Sequence, residues 1–156
     1  MKTLQSLELK LPPLLVALAV AAAMRAVAMF MPGHPAPSDL NLYASIALVL
    51  GGIVLSLAGI ISFGRARTTV NPLKPDSATS LVSSGIYRVT RNPMYVGLLL
   101  VLAGWAVFLF SPWTLFGPPL FIFYINRFQI TPEERALSVL FGHEYDAYRS
   151  RVRRWL

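Results

Sequence analysis

The sequence predicts an all-α polytopic membrane protein, four transmembrane helices followed by a C-terminal amphipathic surface helix. Three observations predict it. Apolar residues make up 55% of the chain and charged residues only 13%, against about a quarter charged in a soluble domain. The apolar residues fall in four blocks, each near the roughly 20 helical residues that cross a hydrocarbon core of about 30 Å. The cations flank those blocks, as the positive-inside rule describes. The chain reads as a single membrane domain, 1–156, with the first two spans in 1–63 and a polar loop, a helical hairpin and the tail in 64–156.

The first block runs from Pro13 to Met31, after Lys2 and Lys10, and Pro13 suits the first helical position. A cleaved signal peptide is the alternative, since Ala26-Val27-Ala28 has the small-residue pattern of a cleavage site. Arg25 inside the block argues for a retained helix, with its guanidinium at the interface or facing the bundle. The turn-rich Pro32–Asp39 segment leads to a second block, Leu40 to Phe63, capped by Ser38 or Asp39. Gly52, Ser56 and Gly59 share one face of it, a small stripe that lets a neighbouring backbone approach.

Residues 64–92 are the longest polar stretch, with Arg65, Arg67, Lys74, Arg88 and Arg91 against Asp76. Loops beyond about 12–15 residues tend to be functional or disordered. The third block, Pro93 to Phe110, has Asn92 as N-cap. Ser111-Pro112 repeats the start signal, so the fourth block, Pro112 to about Ile130, turns straight back as a hairpin. Pro118-Pro119 predicts a kink in it, and Gly97 and Gly104 can face that partner. Thr131 and Glu134 have capping-box spacing for a fifth helix. Its stripe of Leu137, Leu140, Phe141, Tyr145, Tyr148 and Val152, broken near Gly142, reads as a segment on the membrane surface.

The net charge of +7 belongs to membrane orientation rather than to nucleic acid. The 64–93 loop carries +4 and the tail from Arg127 carries +2, whereas the 32–41 loop carries −1. Both termini are therefore expected in the cytoplasm, with the long loop and the tail on the same side of a membrane, a bacterial inner membrane. The absence of cysteine excludes thiolate chemistry and disulfides, and His34 and His143 belong to no metal-ligand cluster.

That cytoplasmic face gathers Tyr87, Arg88, Arg91, Asn92, Tyr95, Arg127, Gln129, Glu133 and Glu134. Tyrosine faces attract cations, carboxylates hold ammonium or ribose hydroxyls, and a helix N-terminus suits an anion. A ligand with cationic centres and a carboxylate uses all three, and S-adenosylmethionine is one. A phosphate-bearing ligand uses half of the same groups.

The run Leu81-Val82-Ser83-Ser84-Gly85-Ile86-Tyr87-Arg88-Val89-Thr90-Arg91-Asn92-Pro93-Met94-Tyr95-Val96-Gly97 resembles the LVTxGxYxxxRHPxYxG signature of the isoprenylcysteine carboxyl methyltransferase family. The tail Glu133-Glu134-Arg135-Ala136-Leu137, Phe141-Gly142-His143-Glu144-Tyr145, Tyr148 and Val152 resembles its EExxL…FGxxYxxYxxxV ending. Phospholipid methyltransferases are similar in outline. The resemblance covers about the last 90 residues and implies a membrane methyltransferase using S-adenosylmethionine. It implies cofactor contacts at Thr79, Ser80, Leu81, Val82, Tyr87, Asn92, Pro93, Met94, Tyr95 and Glu133.

Asn92 stands where the family usually has His, and Gln129 where the eukaryotic enzymes place an Arg; Arg127 lies two residues away and is the candidate to hold the acceptor. The expected partners are membrane lipids and a lipophilic small-molecule or lipidated acceptor. Two rival readings are an NADPH-dependent membrane reductase, whose families share a similar Arg-His-Pro-Asn-Tyr segment but place an acid where this chain has Leu98, and a non-enzymatic membrane scaffold.

Overall fold

Glycine and serine decide where the two most extensively packed helices of this fold meet. A computed structural model describes residues 8–31, 37–68, 73 and 77–156; Lys2, His34, Lys74 and Asp76, named above, lie outside the described residues. Helix α1 is Pro13–Phe30 and α2 is Asp39–Arg65. A 3-10 turn at Gly85–Arg88 leads into α3, Pro93–Leu109. A second 3-10 turn, Pro112–Phe116, α4 at Gly117–Ile125 and a π turn at Asn126–Ile130 run without a break into α5, Thr131–Arg151. The described residues are all-helical apart from one isolated bridge between Thr90 and Arg153.

Two helices, α1 with 18 residues and α2 with 27, are long and apolar enough to cross a membrane; α3 is apolar but has 17 residues. The fourth block forms the expected return of the hairpin, assembled from the 3-10, α and π pieces. Pro118 and Pro119 do not kink a continuous helix: they lie in the first turn of α4, where no backbone N–H is required.

The seam between α2 and α3 shows why the small residues are there. A Cβ at Gly52 would lie 2.5 Å from the Gly97 carbonyl oxygen, and one at Gly97 would fall on Ser56 Oγ. One at Gly104 would lie 2.9 Å from the Ser45 carbonyl oxygen. Gly97 and Gly104 thus face α2, not the hairpin partner the sequence allowed, because the α2 stripe of Gly52 and Ser56 lets the backbones approach there. Close backbone packing of this kind holds helices together in lipid, where apolar burial alone does not.

On the other side of α3, α1 supplies Val16, Ala17, Val20 and Met24 to a core completed by Leu102, Phe121, Ile125 and Ile130. Trp105 Nε1 donates to the Ala21 carbonyl oxygen at 3.0 Å, pinning α1 to α3. Arg25 is exposed and does not face the bundle interior. Most of α2 points outward, with Leu40, Tyr43 and Val54 at 65% exposure or more.

Candidate functional site

Three caps predicted from spacing resolve differently, and the differences build the site. Ser38 caps α2 as expected, its Oγ accepting from Asn41 N–H at 3.3 Å. Asn92 occupies the N-cap position of α3 but makes no capping bond; its Nδ2 donates to the Arg154 carbonyl oxygen at 2.9 Å. Thr131 and Glu134 do not form a capping box, because the π turn feeds straight into α5 and leaves no free helix start to cap. Thr131 Oγ1 instead donates to the Asn126 carbonyl oxygen at 2.7 Å.

Freed of capping, Glu134 becomes the anion of an arginine network. It meets Arg91 at 3.1 Å and takes a two-pronged contact from Arg154, Nε at 3.1 Å and Nη2 at 2.5 Å. Arg91 also donates to the Tyr145 hydroxyl at 3.5 Å. The tail after α5 is bound along its backbone as well. Arg91 N–H donates to Arg153 O at 2.9 Å, and Trp155 Nε1 donates to Asn126 Oδ1 at 3.0 Å. The chain terminus therefore closes over the start of α3.

Glu133, one residue earlier, points to a different set of partners. Tyr95 donates its hydroxyl to Glu133 Oε1 at 2.5 Å, and Gln129 Nε2 donates to the same oxygen at 3.1 Å. Tyr95 and Gln129 are buried. Burial raises the Glu133 carboxyl to about 7, against the lowering effect of the bonds from Tyr95 and Gln129. Burial also raises the Tyr87 hydroxyl, with Tyr148 and the nearby Glu133 carboxylate adding to it.

Tyr87, Val82, Tyr145 and Tyr148 form a second apolar cluster, with Phe63, Leu81, Leu137, Phe141 and Val152 around it. Most of the α5 stripe is thus spent on the protein's own loop rather than on a membrane surface. The break at Gly142, with φ +47 and ψ −123, re-aims the helix so that Tyr145 and Tyr148 reach Tyr87. Tyr148 donates to the Tyr87 carbonyl oxygen at 2.8 Å. Leu140 lies off this cluster and is 43% exposed.

The predicted cofactor residues are thereby drawn into one region in two groups. Thr79 and Ser80 are tied to the end of α2, Thr79 N–H to Thr68 Oγ1 at 2.9 Å and Ser80 Oγ to Ala66 O at 3.0 Å; Leu81, Val82 and Tyr87 lie in the second cluster. Asn92, Pro93, Met94 and Tyr95 open α3, with Glu133 bonded to Tyr95. Met94 and Pro93 pack on Gly59.

Arg127 stands apart from them: its Nη1 donates to Glu8 Oε1 at 2.6 Å, and its guanidinium lies 5.3 Å from the Phe128 ring centre. Two participants were not legible as such. Gln129 reads as a departure from a motif, yet it is the buried partner of Glu133. Glu8 lies far away in sequence, with no spacing signal to connect it. A separate cavity of about 400 Å³ at the opposite end of the bundle is lined by Asn41, Phe110, Ser111 and Leu115, among others, and by none of the predicted residues.

Whether the site suits S-adenosylmethionine is a question of donor set. Aromatic rings and a buried carboxylate suit its cationic centres. Arg91 Nε, buried and without a hydrogen-bond partner among the described residues, suits its carboxylate. The residues fit.

The family model described as phospholipid methyltransferase matches residues 40–144. An uncharacterized protein of Haemophilus influenzae is 46% identical over 63 residues, 40% of this chain and 100% of its own length. A probable protein-S-isoprenylcysteine O-methyltransferase of Oryza sativa is 29% identical over 110 residues, 70% of this chain and 58% of the rice protein. The protein-S-isoprenylcysteine O-methyltransferase of Schizosaccharomyces pombe is 32% identical over 103 residues, 65% of this chain and 43% of the yeast protein. The chain thus spans about half the length of these two named relatives. No solved structure matches it.

Proposed function

This chain belongs to the phospholipid methyltransferase family, and from that premise we propose that it is an integral membrane methyltransferase that uses S-adenosylmethionine to methylate a lipophilic acceptor. The observation that carries the reading is the Glu133 carboxylate, bonded to buried Tyr95 and Gln129 at 2.5 and 3.1 Å inside the segment the family model matches. The family match and the methyltransferase names of the relatives leave the reductase and scaffold readings without a supporting observation.

The bundle spans the membrane four times, α3 and the composite fourth helix forming the last two spans, with both termini in the cytoplasm. The charge distribution supports this. The donor then enters from the cytosol beneath the 77–92 segment and the tail, and the acceptor enters sideways from the bilayer.

When bound, S-adenosylmethionine supplies a methyl group on a sulfonium, whose positive charge is lost as the acceptor attacks. The chain's part is alignment and the exclusion of water. Glu133 and the rings of Tyr87 and Tyr95 hold the cationic centres. Arg91 holds the carboxylate, and Thr79 to Val82 wall the pocket from the α2 side. Arg127 holds an anionic group on the acceptor. A carboxylate acceptor needs no general base, and among the described residues no histidine bonds to Glu133 or Tyr95 to provide one.

Titration of the purified protein with S-adenosylmethionine tests the reading. Saturable binding is expected, weakened about ten-fold or more when Glu133→Ala and Tyr95→Ala are combined. No binding, or equal binding by the double variant, sinks it.

A further inference from the structure

Residues 8–10 form a turn ahead of α1 that folds back onto the join between the fourth helix and α5. Leu9, with φ +56, donates its N–H to the Phe128 carbonyl oxygen at 3.0 Å. That contact aims the Glu8 carboxylate between two guanidinium groups. Glu8 Oε1 takes Arg127 Nη1 at 2.6 Å, and Oε2 takes Arg135 Nη2. The Glu8 side chain is 13% exposed, whereas Arg127 and Arg135 are 38% and 56% exposed. The bond from Arg127 is the main cause holding the Glu8 carboxyl below the usual carboxylate range.

Each guanidinium carries five N–H donors, and the two contacts to Glu8 use one from each. Arg127 ends an apolar helix, the depth at which lipid headgroups lie and long cationic side chains reach out to them. Arg127 and Arg135 lie on the same continuous helical run as Glu133, so an anion held there sits on the element that carries the candidate donor-site carboxylate.

We propose that Arg127 and Arg135 form a bipartite binding site for the anionic headgroup of a membrane lipid, and that Glu8 is its built-in occupant, displaced when the lipid binds. The inference deepens the acceptor side of the methyltransferase reading and rests on it. It adds a second arginine and a competing carboxylate. The headgroup chemistry is a phosphate or carboxylate oxygen pair that matches the arginine forks as Glu8 does.

The test measures binding of dioctanoyl phosphatidate, inorganic phosphate and neutral dioctanoylglycerol to the purified full chain, with S-adenosylmethionine binding measured in parallel. Glu8→Gln is expected to raise phosphatidate affinity about ten-fold and to leave S-adenosylmethionine affinity unchanged; Arg127→Gln with Arg135→Gln is expected to lower phosphatidate affinity by about as much. The chain has no native cysteine, so Leu9→Cys with Phe128→Cys, placed where the two backbones are hydrogen-bonded at 3.0 Å, offers a disulfide to lock the turn shut, its formation checked by free-thiol count. The oxidised form should lose phosphatidate binding and reduction should restore it.

Unchanged or weaker phosphatidate binding in Glu8→Gln, or full binding by the locked form, overturns the proposal and leaves a structural tether. Equal affinity for inorganic phosphate overturns the lipid source, and equal affinity for dioctanoylglycerol overturns the anion. Loss of S-adenosylmethionine binding throughout is instead the failure of the methyltransferase reading.

Discussion

Between α2 and α3, Gly52, Gly97 and Gly104 bring two backbones into close approach; at the other end of α3, Arg91, Asn92 and Tyr95 meet α5 and the tail through charges and hydrogen bonds. The first region is all shape and tolerates nothing added. The second holds two half-buried carboxylates: Glu134, neutralised by Arg91 and Arg154, and Glu133, bonded among the described residues to the neutral groups of Tyr95 and Gln129. Adjacent residues on one helix thus take opposite duties. The paired acid holds the end of the bundle together, and the acid without a cation is the one available to a cationic ligand.

The comparison breaks most visibly at the seam. Gly97→Val places atoms on Ser56 Oγ and against the Gly52 carbonyl oxygen and the Ser56 backbone nitrogen; the hydroxyl can rotate away, but the backbone atoms cannot yield without moving α2. The cost lies at or above the upper end of the roughly 1–3 kcal/mol of overpacking. Loss of folded protein in detergent on size-exclusion chromatography is expected; near-normal yield would mean the seam is looser than described.

At the polar end, Glu134→Ala leaves Arg91, 11% exposed, without its carboxylate. Breaking a buried pair costs about 3–5 kcal/mol, and the low end applies because Arg154 is 37% exposed. A drop in thermal midpoint shared by Glu134→Ala and Glu134→Gln is the expected result.

Glu133 behaves in the opposite sense. Its carboxyl is raised from 4.5 to about 7 by burial, so the folded state holds the proton more tightly than the unfolded chain. Its contribution is fully favourable below about pH 4.5 and is lost as pH rises through 7, by about 3 kcal/mol. The stability difference between the wild-type chain and Glu133→Gln, followed over that window, should move against the wild type as pH increases. A cationic ligand favours the ionised form, so S-adenosylmethionine affinity should rise through about pH 7 in the wild type and stay flat in Glu133→Gln.

The smallest effect sharpens the seam. Gly51 is exposed with open space at its Cβ position, while Gly52 beside it has none. Gly51→Ala should be neutral or stabilise by about 0.5–1 kcal/mol, and Gly52→Ala should destabilise. Equal effects in the two variants would remove the geometric basis of the α2–α3 packing.

These regions were not equally legible in the sequence. The helices and the small-residue stripe of α2 follow from periodicity and composition, because apolar length and residue size act locally. The partner of Gly97 and Gly104 did not, since spacing shows that a small face exists but not which neighbour takes it. The capping box at Thr131 failed for a related reason. Caps matter only where a helix starts, and the π turn at Asn126–Ile130 abolishes that start. The same turn carries Gln129 inward to Glu133. Motif resemblance brought Tyr95 and Glu133 forward as cofactor residues, and the structure bonds them directly. Glu8 and Arg154 were invisible because their contacts join opposite ends of the chain to its middle.

The central claim, that the Tyr95–Glu133–Gln129 group serves methyl transfer, is tested most directly by incubating the purified protein with S-adenosylmethionine radiolabelled in the methyl group and a membrane lipid extract. The account predicts label in a lipid-soluble product, reduced at least about ten-fold by Glu133→Ala while that variant remains folded. Label incorporated equally by the folded variant, or no label with any lipid fraction, would contradict it.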